Sequence, residues 1–85
     1  MQEFMRKFTQ LNGERVKVIL EHCLFNGQTF DCDKLQTVDD ERVGVVIKGR
    51  EIFIDKQNVK TAEIYDGAYK ISDGRLTIMV IVNKM

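Results

Sequence analysis

From Val16 onward, apolar residues recur at every second position in short runs, and pairs of turn-forming residues cut those runs apart. Val16, Val18 and Leu20 form one run, and Phe30 and Cys32 another that continues less regularly into Leu35 and Val38. Val43, Val45 and Ile47 follow, and Leu76, Ile78, Val80 and Val82 close the chain. A period of two places successive side chains on opposite faces of a strand. Asp66-Gly67 and Asp73-Gly74 are hairpin signals, and "DDER" (residues 39–42) is a polar turn. This punctuation predicts about six antiparallel strands joined by short turns, and a set of that kind usually closes into a small barrel. The chain contains no proline, so its strands lack one of the usual protections of a sheet edge.

The segment before Val16 follows a different period. Met1, Phe4, Met5, Phe8 and Leu11 share one helical face, with Gln2, Glu3, Arg6, Lys7 and Gln10 on the other. Asn12-Gly13 stops this helix, glycine supplying a left-handed C-terminal residue. So short a helix is marginal alone, and its stripe is expected to dock on the strands as a lid. The expected fold is therefore mainly β: an N-terminal α-helix (1–12), a small bent antiparallel β-barrel (14–66) and a C-terminal β extension (67–85), in one domain. At 85 residues the chain is small. A domain of this size buries only about 60–65% of its unfolded surface, so support from self-association is expected.

Three registers follow from the turns. Gly49-Arg50 as a two-residue turn pairs Ile47 with Ile52, Val45 with Ile54 and Val46 with Phe53. Asp66-Gly67 folds "AYKIS" back on "TAEIY", pairing Ile64 with Tyr69, with "LTIMVIV" pairing outward again. The alternative folds the tail away as a separate hairpin. The first hairpin stays open. A turn at Asn26-Gly27 sets Leu20 opposite Asp33, one at His22-Cys23 turns Phe30 and Cys32 to the wrong face, and a bulge near Gly27 reconciles them.

One strand is broken. "EIFIDKQNVKTAEI" (residues 51–64) starts apolar, turns polar across Asp55 to Asn58, and resumes at Val59. A strand that must leave one part of a small sheet and pair elsewhere needs such a corner. With the helix, "ERVKVIL", the glycine-containing "NGQTFDC", and "VGVVIK", this segment resembles the Sm-like (LSm/Hfq-type) family over residues 4 to about 65. The alternative is another SH3-like barrel. The resemblance implies a bent barrel that assembles into rings through strand edges and binds RNA at the corner. The family's Tyr-Lys-His corner motif corresponds to Asp55, Lys56 and Gln57, so the lysine is kept and the aromatic is replaced by an acid. Its basic rim corresponds to "NGER", where Arg15 remains. The aspartate of the first family motif has no clear equivalent, although Asp33 and Asp39 lie nearby, and the tail from Ala68 is foreign to the family.

Lys56, Gln57 and Asn58 are accordingly the candidate RNA contacts at the corner, with Arg15 and Lys17, beside Arg6 and Lys7, as a basic patch. Lysine plus arginine equals aspartate plus glutamate, 13 of each, so a nucleic-acid site has to be local. Tyr65 and Tyr69 offer rings for stacking or, more simply, an aromatic pair beside the Asp66-Gly67 turn. No catalytic residue is expected. His22 and Cys23 are adjacent, and in a strand adjacent side chains face opposite ways. Asp31 and Asp33 share a face, but no cleft is evident for them. Two cysteines and one histidine do not supply four metal ligands, and no cofactor motif is present. Free thiols, no leader-like apolar run and no span of transmembrane length lead to a cytoplasmic protein as the expectation. The function expected is a non-enzymatic Sm-like domain that self-associates and binds RNA. The alternative is a structural or protein-interaction barrel without nucleic-acid binding.

Overall fold

The computed structural model describes residues 2–37 and 41–82. The readings of Met1, Val38 and the Asp39-Asp40 half of the polar turn lie outside them. Helix α1 (Gln2–Thr9) is followed by turns that run to Gly13, whose φ is 87°. Glu3 lies 3.8 Å from Arg6 and 3.5 Å from Lys7 on its outer face. The predicted stripe is the buried one: Phe4, Met5, Phe8 and Leu11 all enter the core, Phe8 with 1% of its surface exposed. Burying a large apolar side chain contributes roughly 1.5–3 kcal/mol, which an isolated two-turn helix needs from its tertiary contacts. The Phe4 and Phe8 rings stack at 5.5 Å between centroids, and Tyr69 meets them at 6.0 and 6.1 Å. The helix is thus a lid on the β sheet.

Seven strands follow: β1 (Val16–His22), β2 (Phe25–Cys32), β3 (Arg42–Ile47), β4 (Arg50–Asp55), β5 (Thr61–Tyr65), β6 (Ala68–Ser72) and β7 (Leu76–Val82). A 3-10 turn, Lys56–Asn58, lies between β4 and β5. The broken strand is therefore two strands around a polar corner, as its pattern predicts. All named pairings are antiparallel, and they make two sheets: β2-β1-β7-β6-β5, and β3-β4. These sheets are not closed into one barrel among the described residues. The chain after β2 links them: Gly13 N–H donates to the Leu35 carbonyl and Leu35 N–H to that of Glu14, while Thr37 bridges to Val45 and Val46 N–H donates to the Gln36 carbonyl.

The tail has the favoured arrangement. Ile64 pairs with Tyr69, and β7 pairs outward on β6. β7 then also pairs with β1 over seven positions, from Val16 with Val82 to His22 with Leu76. The segment expected as an extension so supplies the central strand of the larger sheet. Ile78 and Val80 join Val16, Val18 and Leu20 in the core. Met79 and Ile81, on the other face, are half-buried beside Ile19, Lys17 and Lys70 in the neighbouring strands. Long lysine stems cover apolar surface while keeping the charge in water.

Two hairpins differ in detail from the sequence reading. β3 and β4 turn at Lys48-Gly49 instead of Gly49-Arg50, so Val45 pairs with Ile52, Val43 with Ile54 and Gly44 with Phe53. Lys48 and Gly49 have φ of 51° and 80°. Positive φ at both central residues is the twist that matches right-handed strands, and it places the glycine second. The slip preserves the faces, because both registers put Val43, Val45 and Ile47 with Ile54 in the core. Gly44 locks the register, since a Cβ there would lie 2.0 Å from the Ile52 carbonyl oxygen. In the first hairpin the turn is Cys23-Leu24, at neither position considered, while the bulge does fall at Asn26-Gly27, opposite Glu21. Tyr65 pairs with Ala68, so it faces away from Tyr69 and the two do not form an aromatic pair. Cys23 and Cys32 are both free.

Gly44→Ala is expected to lower stability by at least about 1–3 kcal/mol, the usual cost of forcing atoms into a packed site. Urea unfolding measures it, with the half-buried Val46→Ala as the comparison; an unchanged midpoint contradicts the register argument.

Candidate nucleic-acid interface

The register of the larger sheet separates the predicted contacts into two groups. Lys17 lies in a row with Asp31, Ile81, Ala68 and Tyr65, whereas Thr61, just after the corner, lies in a row with Ser72, Thr77 and Glu21. The two rows are four residues apart along β1, and β1 and β5 are separated by β7 and β6. At standard strand spacings this is about 13 Å along the strands and about 14 Å across them. Lys56, Gln57 and Asn58 therefore stay together in the 3-10 turn, and Arg15 and Lys17 do not join them. Arg15 instead lies 3.7 Å from Asp33, with both side chains exposed. An exposed pair of that kind is worth little, but it places an acid beside the arginine.

The corner itself has two unlike sides. Glu41, Asp55, Lys56 and Gln57 line one small depression of about 200 Å³. The Lys56 N–H also donates to the Glu41 carbonyl at 3.0 Å. Lys56 thus shares this depression with two acidic residues, Glu41 and Asp55. On the other side, Gln57, Asn58, Val59 and Lys60 meet Asp73, Gly74 and Arg75 around an open depression of about 560 Å³. Its polar surface comes from two cations, two amides and one carboxylate. The side chains of Gln57, Asn58 and Lys60 have no hydrogen-bond or ion-pair partner among the described residues.

Sequence reasoning missed Lys60 and Arg75, although the signal was present. The pairing of Ile64 with Tyr69, continued down the ladder to Thr61 with Ser72, carries Lys60 to the Asp73-Gly74 turn. Lys60 N–H donates to the Ser72 carbonyl at 2.8 Å, and its side-chain carbons run past Gly74. The turn is firmly held. Asp73 accepts the N–H groups of Arg75 and Leu76, both at 2.8 Å, and Ser72 Oγ accepts that of Gly74 at 3.0 Å. The N–H groups of Leu76 and Arg75 hold the Asp73 carboxyl below the usual carboxylate range. One carboxylate oxygen is thereby turned into its own loop, and Arg75 follows in the same turn as part of the depression's lining.

His22 and Cys23 correct an expectation. Cys23 Sγ lies 3.8 Å from His22 Nδ1, because Cys23 belongs to the turn and strand alternation no longer separates them. The same Nδ1 accepts the Leu24 N–H at 3.1 Å, so this lone pair is already engaged. Tyr65, half-exposed at the sheet edge, donates its hydroxyl to Glu63, and that bond raises the phenol's pKa above its ordinary value. Among the described residues no cluster of three metal-ligating side chains occurs, and no helix is long and apolar enough to cross a membrane. The chain has no significant match among protein-family models, curated proteins or solved structures.

Asp73 gives a pH signature. Its pKa is lower folded than unfolded, so its stabilisation is present above the unfolded value, about 3.9, and is lost as pH falls through the folded one. Asp73→Asn is expected to lower the urea midpoint near neutral pH, with the difference from wild type shrinking as pH falls below the unfolded value. A difference that does not shrink on further acidification contradicts the assignment.

Proposed function

We propose that this protein is a non-enzymatic, Sm-like β domain that binds single-stranded RNA at its polar corner and self-associates. The observation that carries the reading is the depression where Gln57, Asn58, Lys60 and Arg75 converge. Cations held about a single open depression contact phosphate, and amides with free donors and acceptors reach base edges. Arginine adds a planar guanidinium that pairs with phosphate in a fixed fork or stacks on a base. The neutral whole-chain charge restricts attraction to this place. Support for the Sm-like architecture comes from the order of elements: a leading helix, two hairpins, a 3-10 turn and a further strand. It comes also from the link after β2, which bonds Gly13 and Glu14 just before β1 and then bridges to β3. The barrel and its family remain part of the proposal.

The RNA is expected to bind through Lys60 and Arg75 more than through Lys56, which shares its depression with the acids Glu41 and Asp55. Binding of short uridine- or adenine-rich RNA at several salt concentrations tests this. Each phosphate contact contributes about 0.7 to the slope of log affinity against log salt for single strands. Lys60→Gln with Arg75→Gln should therefore reduce the slope by about 1.4, while Arg15→Gln should leave it nearly unchanged. No binding at low salt, or a slope indifferent to the double substitution, overturns the RNA assignment.

Self-association rests on the strand edges. Among the described residues β2, β4 and β5 each pair along one side only. Unpaired N–H and C=O rows are templates for another chain. The tail does not cover the outer edge of β5, because β6 pairs with its other side. Sedimentation at increasing concentration is expected to show an oligomer that Ile64→Lys on β5 weakens. A monomer throughout removes self-association from the reading while leaving the RNA test intact.

A further inference from the structure

A second cavity lies away from the corner, where the turn end of the β3-β4 hairpin approaches β1 and β2. Leu20, Phe30, Ile47 and Ile52 form its apolar floor, and its volume is about 460 Å³. Leu20 and Ile47 are core residues, so this is a place where the core itself meets solvent. The remaining lining is Gln28, Lys48 and Arg50, with no carboxylate. Lys48 and Arg50 flank Gly49 in the turn, are exposed, and have no ion-pair partner among the described residues. In a chain with as many acids as bases, a cleft lined by two cations and no acid is a local excess of positive charge.

We propose that this cleft binds a small anionic amphiphile: an apolar chain on the floor and a carboxylate at the rim. The argument is one of complementarity. Small-molecule sites are concave and mainly apolar, with a few polar groups that fix orientation. The apolar floor matches a hydrocarbon chain, which gains by leaving water. Lys48 and Arg50 match a carboxylate, and Gln28 offers an amide donor beside them. Ionised donor–acceptor pairs make the stronger hydrogen bonds, and arginine takes a carboxylate in a two-pronged contact. A cationic or uncharged chain gains the floor but not the rim. The turn geometry sets the rim, because pairing Ile47 with Arg50 brings the arginine to the mouth directly after the core residue. The site shares no lining residue with the RNA depression, so it stands independently of that proposal.

Backbone-amide NMR titration of the full chain tests it, with decanoate below its micelle concentration as the probe. Decanoate is expected to shift the amides of Phe30, Ile47 and Ile52 saturably. Lys48→Gln with Arg50→Gln, both exposed and compatible with folding, should weaken it by about tenfold, equivalent to losing one charge-assisted contact. Decanol should bind the wild type more weakly than decanoate and be indifferent to the double substitution. Decyltrimethylammonium binding as tightly as decanoate, or no saturable shift at those amides, overturns the proposal. So does binding to phosphatidylglycerol vesicles without any binding of free decanoate, which assigns the cleft to a membrane surface instead.

Discussion

The pairing of β1 with β7 joins the first strand of the chain to the last, and the larger sheet is assembled on it. Among the described residues, β2 is attached to that sheet only through β1, and β5 and β6 only through β7. Its inner face contributes Val16, Val18 and Leu20 from one strand and Ile78 and Val80 from the other, five of the core residues. The pairing spans most of the sequence, so its closure entropy is among the largest in the molecule, although that cost grows only slowly with length. Contacts of this range are met late and slow the folding of β proteins. The local hairpins around it, by contrast, each close through a short turn.

That long-range pairing also determines where charge collects. With as many acids as bases, the chain has no field that acts from a distance. What it has is a set of local arrangements created by strand order. β6 and β7 lie between β1 and β5, which moves Arg15 and Lys17 away from the corner and leaves them beside Asp33 and Asp31. The same strands bring their connecting turn to Lys60, so that Arg75 stands beside the corner. The open depression at the corner thus combines Gln57 and Asn58, which the broken strand marks, with Lys60 and Arg75, which it does not.

The core is covered unequally. Over β5 and β6 the helix closes it with Phe4 and Phe8 against Tyr69. Toward β1 and β2, the end of the β3-β4 hairpin approaches without filling the space, and Leu20 and Ile47 reach the wall of a cleft. The register held by Gly44 determines which side chains line that cleft. A slip by one turn position keeps the same residues on the core face and yet changes which residue stands at its mouth.

The sequence by itself determined the elements and their faces. The change from helical spacing at Phe4, Met5 and Phe8 to alternation from Val16 identified the helix, the strands and nearly all of the buried side chains. That information is local, because burial on one face writes its period into neighbouring residues. It also offered the β5-β6 register through Asp66-Gly67, with a tail folded away as the alternative, and it identified the corner at Lys56 to Asn58. The tertiary structure decided what periodicity leaves degenerate. Gly49 fits as the first or the second residue of a turn, and only the twist of the strands and the close approach at Gly44 select the second. Both faces of "LTIMVIV" are apolar, which does not name the strands beside it; the tertiary structure sets it between β1 and β6, with Ile78 and Val80 in the core and Met79 and Ile81 half-buried on the other face. The candidate site was half legible for the same reason. Gln57 and Asn58 follow from the corner, but Lys60 and Arg75 meet only after two hairpins are in register, and a contact between strands leaves no period in the sequence.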